Sequence, residues 1–313
     1  MAERLFSKLT LRRDSGFELH TWLANELDVL LEQQVLLTNS NATKHSAGTD
    51  ATSLRPLRKV LCTAVTGNSY YALHAYALVT WQMYATRHGF DMKILNNNLD
   101  PSRPIDWSRV LLLQELLLKY DIAVWLDADI LITDLSEDIT SQLQPDKHLY
   151  LVVHEFAYKY GVLEVLNSGV VMMRAGDWSQ RFLHAVWNEK SCVHHSWCDQ
   201  CAMQNVLGYD WGEDNGKGSG PYSHRNVYPS EYADGVAYLT ADWNSIPHAR
   251  LLAPRKFIHY AGMPQYQKLL HMQWDYARFV QRYNVFSIET PFVNPPSTRD
   301  EISNKKSPMN DEL

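Results

Sequence analysis

The stretch Ile122-Ala-Val-Trp-Leu-Asp127-Ala-Asp129-Ile-Leu-Ile-Thr-Asp134 decides how this chain is read. Its apolar run, 122–126, predicts a strand buried on both faces, as in a sheet covered by helices. The run ends directly on Asp127 and Asp129. Side chains two apart on an extended chain point the same way, so the pair is expected to share one face. Two carboxylates there repel each other and lose hydration when half buried. A divalent cation relieves both problems, and hard carboxylate oxygens suit magnesium or manganese. Ligands of open α/β sheets collect beyond the carboxyl ends of the strands, where this pair falls. For a bare Asp-x-Asp the alternative is a strand-to-turn junction with aspartates capping the next element. The apolar residues on both sides favour the metal.

Upstream, the β-branched run 59–66 predicts another buried strand. Gly67-Asn68-Ser69 reads as a turn and 70–87 as a helix ending near Gly89. A strand over 90–95, a polar loop over 96–104 and a helix over 107–120 lead back to the strand at 122–126. This strand–helix alternation argues for α/β architecture with a mainly parallel sheet flanked by helices. Downstream, strands are expected at 149–153, 169–173, 236–240 and 256–260. Helices are expected at 177–189, 199–207 and 264–282. Residues 208–220 read as a long polar loop. Its Gly-Lys-Gly follows no strand and precedes no Ser or Thr, so it is not a phosphate loop. The division is an appendage over 1–57, a main domain over 58–292 and a polar tail over 293–313, expected to be disordered. Within the appendage, Leu23, Leu27, Leu30 and Leu37 mark an amphipathic helix. It reads as packing on the main domain or as a homodimer contact.

With 29 basic and 35 acidic residues, the net charge of −6 excludes a general polyanion binder, so no nucleic acid is expected. A local basic pocket for phosphate is still allowed. No stretch is apolar enough to span a membrane, since the run 110–118 is interrupted by Gln114 and Glu115. The basic N-terminus lacks the apolar core of a secretory signal. The expectation is therefore a cytoplasmic protein, or a secretory-lumen one if the N-terminus is truncated. Cys192, Cys198 and Cys201 crowd into ten residues with His194 and His195, which is not the spread of a disulfide framework. Zinc is the sharper reading of that cluster, although its spacing fits no common finger.

Several short pieces occur in a fixed order. They are Thr66-Gly67-Asn68; Tyr84-Ala85-x-x-His88-Gly89-Phe90; Trp107-x-Arg109; and the Asp127/Asp129 stretch. Then come Leu166-Asn167-Ser168-Gly169-Val170; Asp177-Trp178-Ser179; Asp199-Gln200; Trp243-Asn244-Ser245-Ile246-Pro247; and His259-Tyr260-Ala261-Gly262. In this order the run from 59 to about 273 resembles a retaining GT-A glycosyltransferase, with a Rossmann-like sheet. It is most similar to glycosyltransferase family 34, the galactosyl/mannosyl/xylosyltransferase group, with the glycogenin-like family 8 as a neighbour. Cys198 stands where many members carry a further aspartate.

The resemblance implies roles for particular positions. Asp127, Asp129 and His259 would hold manganese or magnesium. Thr66, Asn68 and Tyr70 would surround the base and ribose of a nucleotide-diphosphate sugar. Arg109, Ala128 and Gly262 would meet the donor, with Gly262 letting backbone approach the diphosphate. Asn167, Ser168 and Gly169 would lie under the donor sugar. Gln200 would face the anomeric centre and Asp199 would hold a sugar hydroxyl. The implied reaction moves a hexose or pentose to a glycan or other hydroxyl acceptor. The alternatives are a scaffold that binds a sugar nucleotide without turnover, and a nucleotide-sugar hydrolase.

Overall fold

A computed structural model describes residues 55–158, 161–212, 222–224, 227–246 and 254–285. The amphipathic helix, homodimer contact and disordered tail expected from sequence fall outside the described residues. A six-stranded sheet is built from β1 (Lys59–Ala64), β2 (Phe90–Leu95), β3 (Ile122–Leu126), β5 (Leu149–Tyr158), β6 (Gly161–Arg174) and β9 (Val236–Leu239). Its order is β2-β1-β3-β6-β5-β9, and β6 alone runs against the rest. The expected α/β class, a mixed and mainly parallel Rossmann-like sheet flanked by helices, is thus the observed one.

The strands alternate sharply between two cores, which is why both faces must be covered. On one face Leu61, Val124, Leu126, Tyr150, Val152, Val170 and Met172 meet the helices α1 (Asn68–His88) and α5 (Gln265–Tyr283). On the other, Val60, Cys62, Ala123, Trp125, Leu149, Leu151, Val171 and Met173 meet α2 (Ser108–Leu116), α3 (Asp177–Asn188) and α4 (Cys198–Val206). Gly89 ends α1 in the left-handed region at φ 69°, and its N–H caps the Ala85 carbonyl. A short antiparallel pair far apart in sequence, β4 (Ile130–Ile132) and β10 (Phe257–His259), forms a separate two-stranded sheet. Trp81 Nε1 of α1 donates to the Ile130 carbonyl at 2.9 Å, and the Thr80 hydroxyl accepts from Ile132 N–H at 3.1 Å. Helix α1 therefore fixes the segment that leaves Asp129.

Four expectations are corrected. The helix expected over 107–120 is shorter, because its bonds slip to the i−3 carbonyls at Leu118 and Lys119. Strands β5 and β6 extend well past the segments expected, so Asn167 and Ser168 join Gly169 in the strand. Strand β7 (Asp210–Gly212), inside the expected polar loop, pairs with β8 (Tyr222–His224) just past its end. Cys192 and Cys201 form a disulfide. That bond takes up two of the thiols a zinc site would need.

Two histidines are sealed into this frame. His74, on α1 beside Ala128, is 6% exposed, and His154, on β5 beside Asn244, is 1% exposed. Burial pushes both imidazoles down to about 4, with the nearby His259 adding to the effect at His154. The folded state keeps them neutral, while the unfolded chain takes up protons near pH 6.5. Their contribution to stability is therefore present above that pH and is lost as pH falls toward 4. At pH 4.5 each costs the fold about 2.5 kcal/mol. Urea unfolding at pH 7.5 and pH 4.5 is expected to show a clearly lower midpoint in acid. Equal midpoints would contradict it.

Candidate metal and donor site

The site forms where the carboxyl end of β3 meets the antiparallel strand β6. Asp127 N–H donates to the Gly169 carbonyl at 2.8 Å, extending the β3–β6 ladder by one bond. Asp127 and Asp129 then sit in a turn closed by Ile130 N–H on the Asp127 carbonyl at 3.0 Å. They are not on an extended chain, which corrects the two-residue argument from sequence. They still converge, because β10 pairs with β4 and brings His259 opposite Ile130. His259 Nε2 lies 3.6 Å from Asp127 Oδ2 and 3.4 Å from Asp129 Oδ1.

Each carboxylate has one oxygen tied back and one turned inward. Asp127 Oδ1 accepts from Trp125 Nε1 at 2.7 Å and from Arg109 Nη2 at 2.8 Å, leaving Oδ2 toward His259. Asp129 Oδ2 accepts from Lys268 Nζ at 2.6 Å, leaving Oδ1 toward the same ring. Asp129 is 4% exposed; burial pushes its carboxyl up, but the neighbouring His259 ring and Lys268 ammonium outweigh that and hold it well below the usual carboxylate range.

The tautomer of His259 follows from a chain of donors and acceptors. Gly169 N–H can only donate, so Asn167 Oδ1, at 2.8 Å, must be its acceptor. The same Oδ1 is 2.8 Å from Asn244 Nδ2, which turns the Asn244 carbonyl oxygen the other way. That oxygen meets His259 Nδ1 at 3.0 Å, so Nδ1 carries the proton. In the neutral ring the Nε2 lone pair then faces the two free carboxylate oxygens. Imidazole ligands oriented by a hydrogen bond at the other nitrogen are the usual second layer of a metal centre. Among the described residues, Asp127, Asp129 and His259 are the group whose ligand atoms cluster, all within 4.8 Å of one another. Two carboxylates with one imidazole fit manganese or magnesium.

The rest of the expected set falls around this centre. Arg109 is 4% exposed and bridges Asp127, the Ser168 carbonyl at 2.7 Å and Asp199 at 3.2 Å, with Trp125 beneath its guanidinium. Its planar fork thus clamps the site from within. Burial, with the neighbouring Asp106 and Asp127, pushes Asp199 up to about 7 against the pull of Arg109. Gln200 Oε1 accepts from Ser168 N–H at 3.0 Å and its hydroxyl at 3.2 Å. Ala128 is buried between the aspartates. Tyr70 is 42% exposed on α1, with Lys268 Nζ 6.0 Å from its ring centre. Thr66 is half-buried just past β1, Asn68 begins α1, and Gly262 follows β10 at φ 70°.

Gly169 must be glycine for a reason of packing. A Cβ there would lie 2.3 Å from His259 Cε1 and Nδ1, a hard clash, and 2.9 Å from Asn167 Oδ1. Two residues escaped the sequence reading. Asn244 was visible only as part of a motif. Lys268 had a signal: it shares the buried stripe of α5 with Met272, Tyr276 and Phe279. A lysine on an apolar stripe requires a buried partner, and Asp129 is that partner.

No protein-family model and no curated protein matches the chain. Solved structures similar to it include a glycosyltransferase involved in glycosylation of the major capsid of PBCV-1. That match has 15% identity and a TM-score of 0.48, over 70% of this chain and 100% of that one. A second is the galactosyltransferase LgtC in complex with donor and acceptor sugar analogs, at 12% identity and TM-score 0.46, over 70% of this chain and 95% of that one. A third is the glycosyltransferase GlyE of Streptococcus pneumoniae TIGR4, at 12% identity and TM-score 0.43, over 73% of this chain and 63% of that one.

Proposed function

We propose that the chain is a metal-dependent retaining glycosyltransferase of the GT-A type, within or near family 34. It takes a hexose or pentose from a nucleotide-diphosphate sugar and passes it to a glycan or other hydroxyl acceptor. The observation that carries this reading is the convergence of Asp127 Oδ2, Asp129 Oδ1 and a pre-oriented His259 Nε2 at the end of a sheet strand. Manganese or magnesium bound there supplies Lewis-acid stabilisation of the departing diphosphate.

The chain's own residues do the positioning. Thr66, Asn68 and Tyr70 lie at the β1–α1 junction, on the side of the base and ribose. The Ala128 backbone and Gly262 border the diphosphate, and Lys268 adds a cation at the same rim. Asn167, Ser168 and Gly169 form the floor beneath the sugar. Arg109 holds Asp199 and Asp127 in place, and Gln200 faces the anomeric carbon. The acceptor oxygen bonds to that carbon on the face from which phosphate departs. The carbon–oxygen bond to phosphate breaks, and the acceptor proton passes to the leaving phosphate. No protein base is needed, so catalysis is positioning and charge stabilisation. Among the described residues no helix is long and apolar enough to cross a membrane.

Incubation with each common nucleotide sugar plus manganese tests the reading. One donor is expected to be consumed, slowly into water and faster with an acceptor, and a chelator should stop both. Consumption that is equal with chelator, or that no donor supports, would contradict it.

A further inference from the structure

The two residues placed nearest the reacting carbon sit in the first turn of α4, ahead of Ala202 and Met203, which pack the helix into the core. Helix α4 has nine residues and no side-chain cap at its start, and such short helices are marginal alone. Its first residue, Cys198, has φ 41°, in the left-handed region that non-glycine residues rarely enter. Yet Asp199 and Gln200 must both be held from this first turn, one against Arg109 and the other against Ser168.

The Cys192–Cys201 disulfide adds a covalent constraint at this first turn. Its half-cystines are 0% and 5% exposed, and it closes the loop that contains both residues. Cys201 follows Gln200 directly. Cys192 ends a short turn, Lys190–Cys192, whose start is fixed by the Glu189 carboxylate accepting from Ser191 N–H at 3.2 Å. Asn205 Nδ2, one turn further along α4, also reaches Cys192 Sγ at 3.4 Å.

We propose that the Cys192–Cys201 bond is a positioning device that holds Asp199 against Arg109 and Gln200 against Ser168. The proposal rests on the donor-site reading of those residues. Cys198 is not part of the device. Burial pushes its thiol up to about 11, so it offers little thiolate to attack the neighbouring bond. A disulfide persists where thiols are not kept reduced.

The test compares full-length oxidised wild type with C192S/C201S and with wild type reduced by a phosphine. In the reduction S–S splits into two thiols, and phosphorus is oxidised to its oxide with oxygen from water. The reduced wild type keeps the comparison standing if the double variant does not fold. Alkylation in denaturant should count two free thiols in the oxidised protein and four after reduction. Hydrogen exchange at the Ser168 amide, whose partner is Gln200 Oε1, should accelerate at least tenfold without the bond, while amides of β1 and β3 are unchanged. C198S, which keeps the bond, should leave Ser168 exchange as in wild type. In the consuming assay, kcat should fall about tenfold or more, with manganese affinity unchanged. Four free thiols in protein made under oxidising conditions, or equal Ser168 exchange with and without the bond, would overturn the proposal. Failure of the oxidised wild type to consume any donor would overturn the transferase reading instead, and leaves the exchange result to be judged by itself.

Discussion

Exchange of Asp129 for asparagine is expected to abolish divalent-cation binding and to lower transfer by about a thousandfold or more. A thousandfold corresponds to about 4 kcal/mol of lost transition-state stabilisation. Sequence alone suggests a carboxylate at a strand end, outside the core, whose exchange for alanine would abolish transfer while the fold survives. The structure buries it at 4% exposure, with Lys268 on one oxygen and His259 beside the other. Alanine would strand the Lys268 ammonium in the core, a loss of about 3–5 kcal/mol that risks the fold itself. Asparagine keeps the volume and one oxygen toward Lys268, but removes the anionic ligand. The measurements are manganese titration and thermal melting. Asparagine should melt close to wild type yet show no saturable manganese binding, whereas alanine should melt far lower. An asparagine variant with wild-type turnover would contradict the assignment.

The second large effect is expected from the smallest change, Gly169→Ala. The backbone here cannot retreat, because Asp127 N–H is bonded to the Gly169 carbonyl and Val170 is in register with Leu126. The added methyl therefore displaces the His259 ring and breaks its contact with Asn244 Oδ1. Overpacking of this kind costs about 1–3 kcal/mol. Loss of the orienting bond should weaken the metal about 10- to 100-fold. The two effects can be separated. In Gly169→Ala with His259→Ala, the clash has gone, so much of the lost melting temperature should return while manganese binding does not. If Gly169→Ala binds manganese as wild type does, the ring is not where the structure puts it.

Much of the frame was legible because burial on both faces writes a strong pattern. The bounds of β3 follow from its apolar run and those of β2 from the alternation Phe90-Asp-Met-Lys-Ile-Leu95, and the glycine after α1 marks its end. The β5–β6 hairpin was harder to read. Between its strands the sequence Tyr158-Lys159-Tyr160-Gly161 offers no Asn-Gly or Asp-Gly signal. The metal triad was half legible. Asp127 and Asp129 announce themselves by charge at a strand end. His259 lies 130 positions beyond Asp129 in a chain with 13 histidines, and only the resemblance selected it. Nothing local could show that β10 pairs with β4. The disulfide was misread for a related reason. Three cysteines in one short segment do not reveal which two face each other, and that depends on where the turn before α4 folds. Asn244 and Lys268 illustrate the same limit, since their roles come from partners far away in the chain.

The central claim is that one divalent cation is held jointly by Asp127, Asp129 and His259. Titration of manganese into the protein, followed by electron paramagnetic resonance of the free ion, tests it directly. One manganese per chain is predicted for the wild type, with binding lost in both Asp129→Asn and His259→Ala. Equal manganese uptake by the wild type and both variants would contradict it.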